Sequence, residues 1–418
     1  MLRTTAVALV LALSLASASA PAAAVVRPVD RVAGVPVSEL EGTDTGRAAP
    51  DLEMASGYLG TMEGRELWSR GADRRRPIAS TTKIMTAVLV LESGVDAEER
   101  VRVSAEAARV GRARYNLRAG DVRSVRQLME EMLVKSGNDA ASALAEHVAG
   151  SEEAFVALMN EKARDLGLDD TRYANPHGLD AEGHYSTARD LAALARYAMR
   201  DAEFRRIVSM PSCTVSVGGV DRRMENTNVL LGDVEGLVGV KTGMTRSAGW
   251  CQVSQAERGE ARLLAVVLGT RAEDSRAEQS RLLLEWGFEH YRPRELASAG
   301  ETMGLVPVSD YLDVAVVARV AEATSTLLFD LDGDLRRALD IVPSVDAPVA
   351  EGDRLGTLSV YQGERLVAEV PVAAAAGVPV PTLWERIRVS LVRTWRAWFG
   401  PKGPAARSGK PAAAPAVP

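Results

Sequence analysis

The sequence predicts an α+β fold in which an antiparallel sheet carries an inserted helical block. A small all-β domain and a C-terminal amphipathic helix are predicted to follow it. Strand-like runs occur in residues 55–69 and again in residues 237–270, whereas residues 83–205 are alanine-rich and show a helical pattern. Strands at both ends of a region, with helices between them, predict one sheet assembled from the two ends.

The first residues of the 418-residue chain have the layout of a secretory signal. Arg3 precedes a short apolar stretch, and small residues in A-x-A patterns follow it, so we expect residues 1–24 to be a signal peptide. An uncleaved membrane anchor is the alternative. The mature protein is therefore expected to be secreted across the cytoplasmic membrane and to be periplasmic or otherwise extracytoplasmic.

Residues 45–292 are predicted to form the larger domain. Two short strands surround the Glu63-Gly64 turn, and a helix follows Ser80. A second helix begins at Ser151, a good N-cap, and ends near Gly167. Further strands are read in CTVSVGG, LVGVKTG, AGWCQVSQA and ARLLAVVLGT, and a last helix in DSRAEQSRLLLEWGFEHY.

Residues 298–378 change to short alternating runs, which predict the small β domain, with Gly363 in a hairpin turn. This domain carries no obvious chemistry, and we interpret it as a spacer or docking module. Residues 381–400 predict an amphipathic helix with three tryptophans and four arginines, a composition that suits a membrane surface with anionic lipid. A helix docked on the β domain is the alternative. Residues 401–418 are rich in proline and alanine and are expected to be disordered.

Composition excludes several classes of function. A formal net charge of −6 and an aromatic content of 5% argue against nucleic-acid binding. The four histidines form no HExxH motif, so no metal or other cofactor is expected. The two cysteines, Cys213 and Cys251, permit one disulfide in a secreted chain but form no framework, and a buried thiol is the favoured interpretation of Cys251.

Three short motifs occur in a fixed order, and the first is Ser80-Thr81-Thr82-Lys83. Residues three apart on a helix are neighbours, so the Lys83 amine can reach the Ser80 hydroxyl. Burial, the positive helix end and neighbouring cations disfavour a protonated lysine, and a neutral Lys83 can take the serine proton. Backbone N–H groups at the helix start can stabilise a developing oxyanion.

The other two motifs supply further polar groups. In Ser136-Gly137-Asn138, the serine is suited to relaying a proton and the amide of Asn138 to holding a substrate carbonyl. In Lys241-Thr242-Gly243, the lysine brings positive charge and the threonine a hydroxyl. Gly243 is expected to let a substrate backbone pair as an added strand, and the N–H of Met244 to complete the oxyanion hole.

The motifs and their contexts, ASTTKIMTA, VKSGNDAASALAEHVAG, ANPHGLDAEGHYSTARDLA and GVKTGMTRSAGW, resemble the serine-type D-alanyl-D-alanine carboxypeptidases, which are low-molecular-mass penicillin-binding proteins. The resemblance covers about residues 50–292 and, more loosely, the β domain and the terminal helix. It implies that the larger domain has a β-lactamase/transpeptidase-like fold.

The resemblance also implies a reaction, the removal of the terminal D-alanine from peptidoglycan stem peptides through a serine acyl-enzyme. Ser80 would be the nucleophile and Lys83 the base, with Ser136 and Asn138 in proton transfer and binding. Lys241, Thr242 and Arg276 would receive the substrate carboxylate, and a solvated arginine at the start of a helix is the alternative for Arg276. β-Lactam antibiotics would be covalent inhibitors, and the terminal helix would attach the enzyme peripherally to the outer face of the membrane.

Two other functions compete with this interpretation. A class A β-lactamase shares the first and third motifs, but it needs an E-x-x-L-N-like loop for its deacylating water, and no such pattern follows Ser136. A wall-binding scaffold with a dead site would tolerate loss of a motif residue, whereas Ser80, Lys83, Ser136 and Lys241 are all present.

Overall fold

A computed structural model describes residues 51–110, 117–217 and 220–399. The predicted signal peptide of residues 1–24 and the predicted tail of residues 401–418 lie outside these described residues. Within them the chain forms an α+β structure, as the sequence predicts.

The helices and strands alternate unevenly along the chain. The strands are β1 Ser56–Thr61, β2 Glu66–Arg70, β3 Arg100–Arg102, β4 Val122–Ser124, β5 Ser212–Val217, β6 Val220–Glu225, β7 Leu237–Thr245, β8 Gly249–Arg258, β9 Ala261–Thr270, β10 Tyr291–Ala297, β11 Thr302–Pro307, β12 Ala315–Val320, β13 Thr324–Phe329, β14 Leu335–Ile341, β15 Arg354–Gln362 and β16 Arg365–Ala374. The helices are α1 Lys83–Glu92, α2 Ala105–Val110, α3 Val125–Val134, α4 Asn138–Ala149, α5 Glu152–Asp165, α6 Ala188–Ala198, α7 Ala202–Val208, α8 Glu273–His290 and α9 Leu383–Phe399.

The central sheet joins the two ends of the larger domain. Its strand order is β2-β1-β9-β8-β7, with antiparallel pairing throughout, and Ser56 of β1 lies opposite Leu268 of β9. The predicted assembly of one sheet from both ends of the region is confirmed. Strand β7, which carries Lys241, lies at one edge of this sheet.

Both faces of the central sheet are covered, because its strands alternate between two apolar sets. Val266 of β9 and Tyr58 of β1 belong to the core formed with the helical block, which includes the buried helix α6. Ala265 of β9 and Leu59 of β1 face the other way and pack in a second core with residues of α8. Helix α8 thus covers the face of the sheet opposite the helical block.

Local sequence signals set several element boundaries. The Ser151 hydroxyl caps α5 by accepting a hydrogen bond from the Ala154 N–H at 3.1 Å, and Gly167 follows the helix with a φ of 67°. Helix α5 therefore begins and ends where the sequence predicts. Cys213 and Cys251 are both buried free thiols, so they form no disulfide.

The small β domain is built on one sheet with the order β11-β12-β16-β15-β14, and Gly363 occupies the predicted hairpin turn with a φ of 55°. Strand β10, which the sequence did not indicate, pairs with β13 of this domain. Pro293 within β10 weakens the strand signal, since proline cannot donate to a ladder. Phe329 of β13 is buried against Trp286 of α8, with ring centroids 5.6 Å apart, so the β domain contacts the second core.

The C-terminal helix α9 contacts the β domain by one side only. Val389 is buried, and the Arg393 guanidinium donates to the backbone carbonyl of Ser309. The opposite side exposes Trp384, Trp395 and Trp398. Among the described residues, the structure contains no helix whose length and hydropathy would let it cross a membrane.

Candidate active site

Ser80 lies in a tight turn that precedes α1. Residues Ala79–Thr82 form a 3₁₀ turn that runs directly into the helix at Lys83. Ala79 has a φ of 51°, in the left-handed region that a residue with a side chain rarely adopts. Such strain is characteristic of functional sites, where surrounding contacts hold the backbone in place. The turn presents Ser80 half-buried at the wall of a cleft.

The Lys83 side chain is fully buried and has three close oxygen neighbours. Its Nζ lies 2.8 Å from Ser80 Oγ, 2.7 Å from Asn138 Oδ1 and 2.6 Å from the carbonyl oxygen of His177. Burial lowers the pKa of Lys83 well below its ordinary value, and the charge of Lys241 lowers it further, whereas Asp139 acts in the opposite direction. The amine is therefore poised to be neutral beside the serine hydroxyl.

The second motif forms the opposite wall of the cleft. Ser136 has a φ of 68° in the short connection between α3 and α4, and the Gly137 N–H donates to the Glu131 carbonyl at 3.1 Å. Asn138 begins α4, so its side chain is held at a helix start where it meets Lys83. Ser136 and Asn138 line the same cleft as Ser80.

The third motif lies on edge strand β7, and Lys241 is buried beneath the cleft. Burial lowers the pKa of Lys241 to about 7, and the charge of Arg276 contributes to this shift. The Lys241 ammonium donates to the Thr242 carbonyl at 3.1 Å. The Thr242 hydroxyl donates to Thr227 Oγ1 at 2.6 Å, a partner that the sequence did not indicate.

Gly243 packs closely against the turn that carries Ser80. A Cβ atom at this position would lie 2.7 Å from the backbone nitrogen of Ser80 and 3.0 Å from the Ala79 Cβ. Glycine therefore lets β7 pack directly against the turn that carries Ser80, while Met244, the next residue, is exposed at the cleft. The expected pairing of a substrate backbone at Gly243 stays a prediction.

Arg276 is buried on α8. Its guanidinium lies over the Trp250 ring, 5.2 Å from the ring centroid, and makes a 3.3 Å contact with Glu273. Its buried Nε has no hydrogen-bond partner among the described residues. The charge of Arg276 lowers the pKa of Lys241, so this buried guanidinium lies close to the third motif and is not a solvated arginine at a helix start. Its contact with a substrate carboxylate stays a prediction.

A loop of residues 174–187 completes the site, and its contribution was missed by the sequence reasoning. The Pro176 carbonyl accepts from Thr86 Oγ1 at 2.6 Å, next to the carbonyl of His177 that binds Lys83. Asp180 accepts from Thr245 Oγ1 at 2.6 Å, which ties the loop to β7. The stretch NPHGL belongs to one of the sequence contexts that carry the family resemblance, but the role of a backbone carbonyl cannot be read from a side-chain motif.

His177 itself has an ordinary structural function. Burial lowers the pKa of its imidazole to about 3, and the nearby Lys83 lowers it further, so the ring is neutral at physiological pH. Its Nδ1 accepts from the Leu179 N–H at 3.2 Å. These contacts shape the loop and do not suit proton transfer.

These residues surround an open cleft of about 630 Å³. The side chains and backbone that line it come from the first two motifs, from the loop and from the residues directly after the third motif, namely Ser80, Lys135, Ser136, Asn138, Leu179, Asp180, Met244, Thr245 and Arg246. A cleft of this volume takes a short peptide segment, and its polar groups converge at Ser80.

Comparison with known proteins agrees with this geometry. Residues 57–272 match the family model described as D-alanyl-D-alanine carboxypeptidase. The chain belongs to this family. The carboxypeptidase DacF of Bacillus subtilis is 32% identical over 319 residues, covering 74% of this chain and 82% of DacF. The carboxypeptidase DacC of Escherichia coli is 31% identical and covers 84% of this chain and 91% of DacC.

The fold of this carboxypeptidase family member is also similar to a solved structure. The crystal structure of penicillin binding protein 6B from Escherichia coli aligns with a TM-score of 0.60 and 29% identity, covering 79% of this chain and 98% of that protein. Because this coverage exceeds the region of the family model, the similarity extends beyond the central sheet and its helices.

Proposed function

We propose that this serine peptidase removes the terminal D-alanine from peptidoglycan stem pentapeptides and that Ser80 is its nucleophile. The observation that carries this proposal is the fully buried amine of Lys83, which lies 2.8 Å from Ser80 Oγ with a strongly lowered pKa. A neutral amine in hydrogen-bond contact with a hydroxyl is the arrangement that activates a nucleophile. Membership of the carboxypeptidase family supports the substrate.

The hydrogen bonds of Lys83 suit a neutral base. A neutral amine has two N–H groups, which the oxygens of Asn138 and His177 can accept, and one lone pair, which is then directed at the Ser80 hydroxyl. Ser80 Oγ forms a bond to the carbonyl carbon of the penultimate D-alanine as its proton passes to Lys83 Nζ. The oxygens of Asn138 and His177 therefore orient the Lys83 amine toward Ser80 as well as binding it.

The acyl-enzyme forms when the peptide C–N bond breaks. The proton on Lys83 passes to the leaving amine, with Ser136 as the relay, and free D-alanine departs. The N–H groups of Ser80 and Met244 stabilise the developing oxyanion. Water then attacks the ester, with Lys83 again accepting the proton, and Ser80 is released. The same Ser80 attack opens a β-lactam ring, which gives penicillin sensitivity.

Binding of the substrate carboxylate is assigned to Lys241, Thr242 and Arg276. Lys241 and Arg276 are two buried cations that lie close enough to interact, and a bound anion would offset the electrostatic cost of burying each charge. The Thr242 hydroxyl would exchange its bond to Thr227 for one to the carboxylate. Strand β7 offers a sheet edge along which the peptide can pair.

The proposal is tested by incubating the purified protein with a stem pentapeptide and measuring the masses of the products by mass spectrometry. Loss of one alanine is expected, and Ser80→Ala should lower the rate by at least about 10³-fold because the nucleophile is removed. A fluorescent penicillin should label the wild-type protein but not this variant. Labelling of Ser80→Ala at the wild-type rate would rule out Ser80 as the nucleophile.

We also propose that the protein is secreted and attached to the membrane surface by α9. Exposed tryptophans support this proposal, since Trp384 and Trp398 are 80% and 79% exposed on one side of the helix. Indole rings on an amphipathic helix favour the membrane interface. Of the arginines, Arg393 binds the β domain, so lipid contact is assigned to the tryptophan side.

A further inference from the structure

A buried chain of hydrogen bonds connects His184 to the turn that carries Ser80. His184 Nδ1 accepts from the Ala174 N–H at 3.1 Å, so the ring proton lies on Nε2. This Nε2 lies 2.8 Å from Thr82 Oγ1 and donates to it, because the Thr82 hydroxyl in turn donates to the Ala79 carbonyl at 2.8 Å. His184 and Thr82 are 6% and 0% exposed, so water does not compete for these bonds.

The last acceptor in this chain belongs to the peptide group that Ala79 shares with Ser80. Because a peptide group is planar, the direction of the Ala79 carbonyl also sets the direction of the Ser80 N–H. That N–H is the oxyanion donor in the proposed reaction. Ala79 has a φ of 51°, so the backbone conformation that leads into this peptide group is unfavourable by itself and needs contacts to hold it.

We propose that His184 is a positioning residue for acylation, acting through Thr82 and the Ala79 carbonyl to aim the Ser80 N–H at the oxyanion. The inference rests on the proposed function, since it needs Ser80 as the nucleophile. His184 does not line the cleft, and its side-chain hydrogen bonds within the described part of the chain go to Thr82 and Ala174 and not to Lys83. Burial lowers the pKa of His184 to about 4, so the ring stays neutral and keeps a single donor for Thr82.

The donor and acceptor groups in this series of hydrogen bonds indicate which substitutions preserve the bonds and which break them. A glutamine amide can place its nitrogen where His184 Nε2 lies, whereas the shorter asparagine reaches only the position of Nδ1. His184→Gln should therefore keep the donor to Thr82, and His184→Asn should lose it. Thr82→Ser keeps the hydroxyl, while Thr82→Val has nearly the same shape without it.

The experiment measures acylation by a fluorescent penicillin in rapid mixing, with noncovalent binding and the acylation rate constant resolved separately. His184→Asn and Thr82→Val should each lower the acylation rate constant about tenfold, less than the loss of a whole oxyanion donor, with noncovalent binding unchanged. His184→Gln and Thr82→Ser should stay within about threefold of the wild type. The His184→Asn/Thr82→Val double variant should be no slower than either single variant, because both break one chain.

A half-buried histidine outside this chain of hydrogen bonds supplies the control. His147 on α4 is paired with Glu99 at 3.3 Å, and His147→Asn should leave acylation unchanged.

Acylation of Ser80 in the wild-type protein is verified first. If the proposed function is wrong, the wild-type protein itself is not labelled, and this result is distinct from failure of the positioning role. The positioning role is overturned if His184→Asn is acylated at the wild-type rate or if His184→Gln is as slow as His184→Asn. It is also overturned if the fold decreases in the acylation rate constant of His184→Asn and Thr82→Val multiply in the double variant. Thermal unfolding of each variant identifies any that fail to fold, and the Thr82 pair then carries the test.

Discussion

At the scale of single residues, the unusual feature of this site is a group of buried cations. Lys83, Lys241 and Arg276 are each at most 2% exposed. Each cation raises the cost of charging the next, and burial adds to it, so the lysine pKa values fall. A site of this kind has a neutral amine available as a base and a strong attraction for an anionic substrate group.

Replacing Lys241 should change how stability depends on pH. Its pKa falls from the ordinary 10.5 to about 7 in the folded protein. Below pH 7 the lysine is charged in both states, and the full cost of burying the charge opposes folding. Between pH 7 and pH 10.5 the unfolded chain binds more protons than the folded one, so this part of the free energy of unfolding rises with pH.

Lys241→Met removes this dependence. The stability that the variant gains over the wild type should therefore be larger at pH 6.5 than at pH 8.5, by about 2 kcal/mol. Urea unfolding at the two pH values measures it. An equal difference at both values would mean that Lys241 titrates normally in the folded protein.

Part of the residue-scale picture could be predicted from the sequence and part could not. The contact between Ser80 and Lys83 follows from their spacing, because a 3₁₀ turn and an α-helix both bring residues three apart together. The contact of Lys83 with the His177 carbonyl joins residues that are distant in the chain. No local pattern encodes such a contact, since it depends on where a loop is placed by the rest of the fold.

At the scale of elements, the loop of residues 174–187 assembles the site from separate pieces. Gly178 in this loop has a φ of 87°, and a Cβ atom there would lie 2.0 Å from the Ala79 carbonyl oxygen. The loop backbone thus packs directly on the turn that carries Ser80. Only glycine combines this conformation with so close an approach.

Gly178→Ala should therefore destabilise the protein by about 3 kcal/mol, from steric overlap and backbone strain together. Acylation should slow as well, because the turn must shift. Gly183→Ala is the matched control in the same loop, with a φ of 72° but no atom closer than 3.5 Å to the added Cβ. It should lose only about 1 kcal/mol, the cost of the left-handed conformation alone. Equal losses in the two variants, measured by urea unfolding, would show that the close approach is unimportant.

At the scale of the whole molecule, the catalytic cleft and the terminal helix are separate features. The cleft is built by the central sheet, the helical block and the loop, whereas α9 contacts the β domain through Val389 and Arg393. Strand β10 and the buried Phe329 connect the β domain to the second core of the larger domain. This arrangement agrees with our interpretation of the β domain as a spacer between the helix and the cleft.

Truncation before Thr382 should abolish binding to anionic lipid vesicles, since it removes the exposed tryptophans, and should leave penicillin acylation within about twofold of the full chain. Vesicle sedimentation and penicillin labelling of the same samples measure the two properties. A double variant, Trp395→Ser with Trp398→Ser, should weaken binding without removing the helix. A truncated protein that still sediments with vesicles would exclude α9 as the anchor.

The sequence by itself determined the α+β fold class, the main strands and helices, the spacing of Ser80 and Lys83 and the family resemblance, because periodicity, caps and short motifs are local properties. Only the tertiary structure decided that Lys83 is fully buried with three oxygen partners, that Gly243 faces Ser80, and that strand β10 joins the β domain. It also decided that His184 reaches the nucleophile turn and that Arg393 faces the protein. These features depend on which surfaces, distant in the sequence, come into contact when apolar faces are buried. That packing is determined by the whole chain and not by any local segment.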